Sequence, residues 1–340
     1  MAFGNSGFLG QVATTVASTA AVMTEKAVKN GWEHNLARTH PLLAQIQSGG
    51  KNWNKGFREE GNAMIVPIIG QTSTNTYGSV ARSAELTPMT ANTTAGLTAA
   101  RYLFAGHQGN IVWKPSELRL LKNGDRGNLI DAKVMQFEEE VRRVLSTELS
   151  GTANASDSVL LGLRYALSGA SATALGEIDA SDSDNAFWRA GYTASTGTLT
   201  EQTLRKAINV CHLNNGKPDL MLASNGGGAT FDTYEKVMSF VAPQERIVNL
   251  NGAMAKYGFN SFMYRGVEVV QDYFLSIGGL NGCLLILDTD KFNWGGDVQP
   301  DEGKEQRISL TNGVEQAFIH YCVLGIRAPR ANFQLAGITG

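Results

Sequence analysis

No run of five lysines or arginines occurs anywhere in the 340 residues of this chain, and the formal net charge is only −2. Tight binding of nucleic acid draws on clustered positive charge, so this absence excludes a dedicated nucleic-acid binder and leaves only weak contact with DNA. Charged residues of both signs make up 18%, well short of the roughly 25% of an average soluble chain. So thin a charge cover points to a surface largely covered by something else. Cysteine is nearly missing: Cys211, Cys283 and Cys322 are odd in number and far apart. That excludes a disulfide framework and fits reduced, buried thiols. No stretch approaches the ~20 apolar residues of a membrane span. Residues 8–23, FLGQVATTVASTAAVM, are mildly apolar, but Ser and Thr interrupt them and no basic residue precedes Lys26. A secretory signal is therefore not expected, and the protein is expected to be soluble and to stay where it is made.

What is present is a chain of 43% hydrophobic residues with 38 glycines, the composition of a folded protein rich in strands and loops. Its length suffices for two core-bearing units, or for one large domain with extensions. Residues 11–47 read as two short amphipathic segments, the second broken by Pro41 in ARTHPLLAQIQ. With few apolar residues of their own, they are expected to form an arm that packs on a neighbour. From Lys51 to about Leu121, NAMIVPIIGQTSTNTYG and LTAARYLFAGHQGNIVWKP are β-prone runs around a polar middle. They predict an extended hairpin, which would be marginal alone in water and needs a partner surface. Ile130, Val134, Phe137, Val141 and Leu149 recur at helical spacing, so one helix is predicted over 128–151, roughly 35 Å long. Asn128 is its N-cap and Gly151 its stop. Residues 151–200 read as loop with an aromatic anchor at Phe187 and Trp188. Beyond them, helices in LTEQTLRKAINVCHLN and GATFDTYEKVMSFV alternate with strands in PDLMLAS, MYRGVEVVQDYFL and CLLILDT, and the C-terminal segment reads as strands with a turn at Asn312-Gly313.

No constellation assembles an active site. In LLILDTDKF, four aliphatic residues precede Asp288 and Asp290, which share one strand face and could reach one Mg²⁺. The motif resembles the nucleophile motif of haloacid-dehalogenase-type phosphohydrolases, and GDVQPD (296–301) matches their later acidic motif. In that family the two lie on different strands with most of a domain between them, whereas here they nearly touch, and solvated acids at a strand end explain them better. SNGGGATF (224–231) has the glycines of a phosphate cradle but not the Gly-Lys-Ser/Thr of a P-loop, and reads as a strand-to-helix connection. Cys211 and His212 are adjacent, so on a helix they point about 100° apart and cannot act as nucleophile and base. His34, His40, His107 and His320 have no close ligand spacing, which argues against zinc. The acids of FEEEVRR (137–143) can pair with the following arginines on a solvated helix face. No catalytic, cofactor-binding or metal-ligating residue is assigned, and no cofactor is expected.

The order of these elements is similar to that of the major capsid protein of tailed bacteriophages. The resemblance is carried by IVWKPSELRLLKNGDRGNLIDAKVMQFEEEVRRVLSTELSG (111–151), FWRAGY (187–192), KPDLMLASNGGGATFDTYEKV, QERI (244–247), YGFNSFMYRGVEVVQDYFL, LLILDTDKFNW and the closing GIRAPRANFQLAGIT. It implies an α+β, Hong Kong 97-like capsid fold: an N-arm over 1–50, an extended hairpin loop over 51–110, a peripheral domain from 111–200 and 303–340 with its spine helix at about 128–150, and an axial domain over 201–302. It further implies a virion protein, not an enzyme, that self-assembles into hexamers and pentamers of an icosahedral head enclosing weakly contacted double-stranded DNA, in a bacterial cytoplasm and away from membrane. Implied partners are a portal protein, a separate scaffolding protein, since the chain opens almost directly on the arm, and in some relatives decoration proteins. Some relatives weld subunits by a lysine-to-asparagine bond; Lys51 and Lys55 lie near the hairpin base, but no matching motif assigns a cross-link. An encapsulin-like nanocompartment shell is the alternative within the fold, and a metal-dependent phosphohydrolase using Asp288 is the rival from another class.

Overall fold

The computed structural model of the chain describes residues 40–47, 53, 58–69, 97–113, 137, 140–141, 143–225, 232–241, 259, 261–276, 282–296, 301–308 and 313–339. In chain order the strands are β1 (Arg58–Glu60), β2 (Ala63–Ile69), β3 (Leu97–Leu103), β4 (Ala105–Trp113), β5 (Gly191–Thr193), β6 (Gly197–Thr198) and β7 (Leu220–Ser224). They continue with β8 (Ser261–Tyr264), β9 (Val267–Asp272), β10 (Gly282–Leu287), β11 (Phe292–Gly296), β12 (Asp301–Ile308), β13 (Gly313–Ile326) and β14 (Phe333–Thr339). The class is α+β, as the sequence indicates.

The first sheet, β1-β2-β3, holds the base of the expected hairpin. β2 and β3 pair antiparallel from Ala63 with Leu103 to Ile69 with Leu97; the expected tip, 70–96, lies outside the described residues. Met64, Val66, Ile68, Ala100 and Tyr102 face the core, as the two-residue period of a strand requires. The run 97–113, β-prone throughout, changes sheet at Phe104. β3 stays with the hairpin, and β4 joins a second sheet.

That second sheet is organised by β13. β4 runs along one side of it, from Trp113 opposite Val314 to Ala105 opposite Cys322. β12 and then β11 line the other side. The long helix packs here: residues 137, 140, 141 and 143–149 are helical, and the Phe137 ring lies 4.8 Å from that of Phe318. Its expected start at Asn128 lies outside the described residues. Its stop does not: Gly151 N–H donates to the Glu148 carbonyl at 2.9 Å.

The third sheet runs β5-β14-β10-β7-β9-β8, with β6 also on β14. β7 and β10 are buried throughout, which is why their sequences read as unbroken aliphatic runs instead of alternating ones. On one face Met221, Ala223, Val269, Leu284 and Ile286 meet helices Glu201–Leu213 and Thr233–Ser239. On the other, Leu220, Leu222, Val270, Leu285 and Leu287 join the core shared with the first two sheets. The β8–β9 connection places Arg265 and Gly266 at φ 52° and 84°, the positive pair of a two-residue hairpin turn.

Two expectations need revision or sharpening. Pro41 does not break a helix but begins one, Pro41–Gln47, because the first helical position needs no N–H donor. Leu42, Leu43 and Ile46 of that helix are buried in the chain's own core, so this end of the arm packs at home and not on a neighbour. Residues 1–39 lie outside the described residues. The loop-rich stretch 151–200 is anchored as expected: Trp188 is buried and its Nε1–H donates to the Leu175 carbonyl at 2.9 Å.

Gly109 sits opposite Phe318 in the β4–β13 ladder. A Cβ there would lie 2.4 Å from the Phe137 ring, so the missing side chain is what admits the helix to the sheet. Gly109→Ala is expected to lower stability by about 1–3 kcal/mol in urea unfolding, and Phe137→Leu in the same chain to restore part of it.

Candidate functional site

Asp288 closes β10, and the structure corrects its environment. It is 2% exposed, whereas Asp290 is exposed; the solvated strand-end acid of the sequence reading is Asp290 alone. Asp288 caps the short turn Thr289–Lys291. Its Oδ2 accepts the Lys217 N–H at 2.8 Å and its Oδ1 the Asp290 N–H at 3.2 Å, while its own N–H donates to Asn332 Oδ1 at 2.7 Å. Burial pushes its carboxyl above the usual range, and the Lys217 N–H opposes that push. Asp219, nearby, is held by Thr289, whose N–H and hydroxyl donate to it at 2.8 and 2.6 Å. Of the two carboxylates in LLILDTD, Asp288 alone is therefore a backbone staple, joining three connections. Asp288 is committed to main-chain donors and not presented to a metal or phosphate.

The other sequence candidates separate in the same way. Cys211 is buried and His212 exposed, as helical geometry demands; burial pushes the Cys211 thiol up to about 12, and His212 Nδ1 meets the Gly216 carbonyl at 3.1 Å. Glu140 and Arg143 form the exposed i,i+3 pair at 2.6 Å. The Ser224 hydroxyl meets Thr233 Oγ1 at 3.0 Å and accepts the Cys283 N–H at 2.9 Å. His34, Lys51, Lys55, residues 226–231 and residues 297–300 lie outside the described residues.

Two polar groups escaped sequence reasoning because each draws on segments more than 40 residues apart. In the first, His40, Ser150 and Asp272 are all buried. His40 Nδ1 accepts the Leu42 N–H at 3.2 Å, which leaves Nε2 as the protonated nitrogen. That N–H faces Ser150 Oγ at 3.2 Å and Asp272 Oδ2 at 3.5 Å, and Ser150 in turn donates to Asp272 at 3.2 Å. The residue types are those of a hydrolase triad, but the hydroxyl is given to the carboxylate instead of to the imidazole, and none of the three reaches solvent. The group fastens helix Pro41–Gln47, the end of the long helix and β9 to one another. The second group gathers His107, Glu148, His320 and Cys322 beneath the long helix.

The outward face of β13 carries exposed Ile319 and Tyr321, beside exposed Gln108 and Asn110 of β4. Leu213, at the end of its helix, is 81% exposed. Apolar groups so displayed suit contact with another surface.

Among solved structures the chain is similar to the capsid asymmetric unit of cyanophage A-1(L), at 14% identity and a TM-score of 0.55 over 89% of this chain and 93% of that one. It is similar to the capsid of an empty GTA particle at 11% identity and a TM-score of 0.53, covering 87% and 90% of the two chains. It is also similar to a chain of Gordonia phage Cozz at 10% identity and a TM-score of 0.51, covering 88% and 87%. No protein-family model matches the sequence, and no curated protein matches it. The chain thus has the fold of phage capsid proteins, read over nearly its whole length and at an identity where only the fold is shared.

Asp288→Asn sets an amide donor against a backbone N–H that has lost its acceptor, and is expected to cost about 1–3 kcal/mol in chemical unfolding. A second outcome concerns pH. Burial holds His40 below its ordinary 6.5, and Asp272 opposes that only in part. The unfolded chain then binds the extra proton, so the neutral imidazole's contribution is complete above about 6.5 and is lost as pH falls from there through the folded value, at no more than about 1.4 kcal/mol per pH unit. Urea midpoints between pH 7.5 and 5 should show that decline, and His40→Gln should flatten it.

Proposed function

We propose that this chain is the major subunit of an icosahedral phage head, assembling with copies of itself into hexamers and pentamers around double-stranded DNA. The observation that carries the reading is a fold matched to capsid structures over 87–89% of the chain. Support comes from the low charge, from the apolar side chains left on the outer face of β13, and from the commitment of Asp288 to backbone donors, which weakens the phosphohydrolase reading. On this proposal, the N-arm and hairpin loop (1–50 and 51–110) reach neighbouring subunits. Residues 111–200 with 303–340 form the peripheral domain and 201–302 the axial domain. Because helix Pro41–Gln47 belongs to the chain's own core, the part of the arm available to neighbours is the part before His40. The shell resides in the virion and is built in a bacterial cytoplasm, with portal and scaffolding proteins as partners, decoration proteins as optional ones, and no catalytic role. DNA is confined by the wall and not gripped by it, since the chain carries no basic run.

An encapsulin-like shell would share the fold but enclose a protein cargo. Purified full-length chain, examined over a concentration series by sedimentation velocity and negative-stain microscopy, is expected to form capsomers and closed shells. Persistence as monomer at the highest concentration, with and without a co-expressed scaffold, would contradict the proposal. Shells filled with protein and free of DNA when made in an infected host would favour the nanocompartment.

A further inference from the structure

Three side chains with metal-binding atoms meet on one face of the second sheet. His107 of β4 and His320 of β13 are direct cross-strand partners. Cys322 follows His320 by two positions, so the strand period places all three on the same face. Their donor atoms all lie within 4.8 Å of one another, and His107 Nδ1 is 4.0 Å from Cys322 Sγ. His320 and Cys322 are buried and His107 half-buried.

A carboxylate stands behind them. Glu148 Oε2 lies 2.9 Å from His107 Nε2 and also accepts the Leu160 N–H at 2.9 Å. A carboxylate only accepts, so Nε2 carries the imidazole proton and the Nδ1 lone pair is left facing Cys322. Metal-bound histidines are oriented in this way, one nitrogen on the ion and the other on an outer carboxylate. His107 and His320, though not Cys322, line a cavity of about 330 Å³ together with Phe137, Glu140, Val141 and Phe318, which leaves room for water beside the two imidazoles.

We infer that His107 Nδ1, a ring nitrogen of His320 and Cys322 Sγ bind one divalent cation of the zinc class, with Glu148 as the positioning residue for His107 and water as fourth ligand. Two imidazoles and a thiolate are the donor set that borderline-soft cations prefer, and one that Mg²⁺ and Ca²⁺ avoid. Tetrahedral donors around zinc stand about 3.5 Å apart, so the 4.0 Å pair must close by about half an ångström and any pair at the 4.8 Å limit by about 1.3 Å, through rotation of the side chains. Cys322 binds as thiolate and its proton passes to solvent. The ion would bridge β4 and β13, whose ligands His107 and Cys322 are 215 residues apart in sequence. The inference stands independently of the shell reading.

Full-length chain stripped of metal by a chelator and titrated with Co²⁺ tests it. Expected are one equivalent bound per chain, visible bands of tetrahedral cobalt, a thiolate-to-cobalt charge-transfer band, and displacement by Zn²⁺. Zn²⁺ at a hundredfold excess over Kd should raise Tm by about 4 °C. The charge-transfer band should survive Cys211→Ala with Cys283→Ala, and vanish in Cys322→Ser and in His320→Ala. Glu148→Gln should weaken cobalt binding about 10- to 100-fold while keeping the band. A wild-type chain without the charge-transfer band overturns the inference, whatever the variants do; so does a folded Cys322→Ser chain that retains it.

Discussion

The ladder between β4 and β13 is the contact on which the rest of the molecule depends. It joins residues 105–113 to residues 314–322, so its formation closes a loop of some two hundred residues, an entropic cost that grows only slowly with loop length. Once β13 is in place it also receives β11 and β12. The turn Pro329–Ala331 then hands the chain to β14, which lies between β10 and the short strands β5 and β6 of the other sheet. The last thirty residues therefore enter both large sheets. That is why one core reaches from the hairpin base at Met64 to Leu287. A topology so rich in non-local pairing folds slowly, and the C-terminal segment is the part that completes it.

Between these sheets the chain places polar groups with their partners supplied. His40, Ser150 and Asp272 satisfy one another at the meeting of helix Pro41–Gln47, the long helix and β9. Asp288, Asn332 and the Lys217 N–H do so where β10, the segment before β14 and the connection into β7 converge. Buried polar groups add little net stability when satisfied but cost about 1–3 kcal/mol when a partner is lost. They fix the relative placement of elements that aliphatic packing alone would leave free to slide.

The elements most legible in the sequence were those whose pattern is local. The aliphatic run before Asp288 announced a strand buried on both faces, the recurrence of Phe137, Val141 and Leu149 announced the helix, and Trp188 announced its loop anchor. What could not be read were relations across the chain. Nothing near Phe104 marks the change of sheet, because both strands read as one β-prone run. Proline punctuates a helix from either side, so Pro41 alone does not say whether it ends or begins one, and only the burial of Leu42 and Leu43 shows on which side it stands. A strand end usually lies in solvent, and nothing local marks Asp288 as an exception, since its partners, Lys217 and Asn332, lie 71 and 44 residues away. The pairing of His107 with His320 was equally hidden. Two histidines without ligand spacing say nothing until the register of β4 on β13 is known, although His320 and Cys322, two apart on a strand, already shared a face.

On the proposed reading, a chain whose own strands close on one another in this way is a preformed building block for a self-assembling shell. Cryo-electron microscopy of the purified full-length chain under assembly conditions tests that account most directly. The expected map is a closed shell in which every subunit pairs its own β4 with its own β13, and in which exposed residues such as Tyr321 and Leu213 lie at or near subunit contacts. A map in which β13 is donated by a neighbour, or a preparation that yields no closed particle, would contradict it.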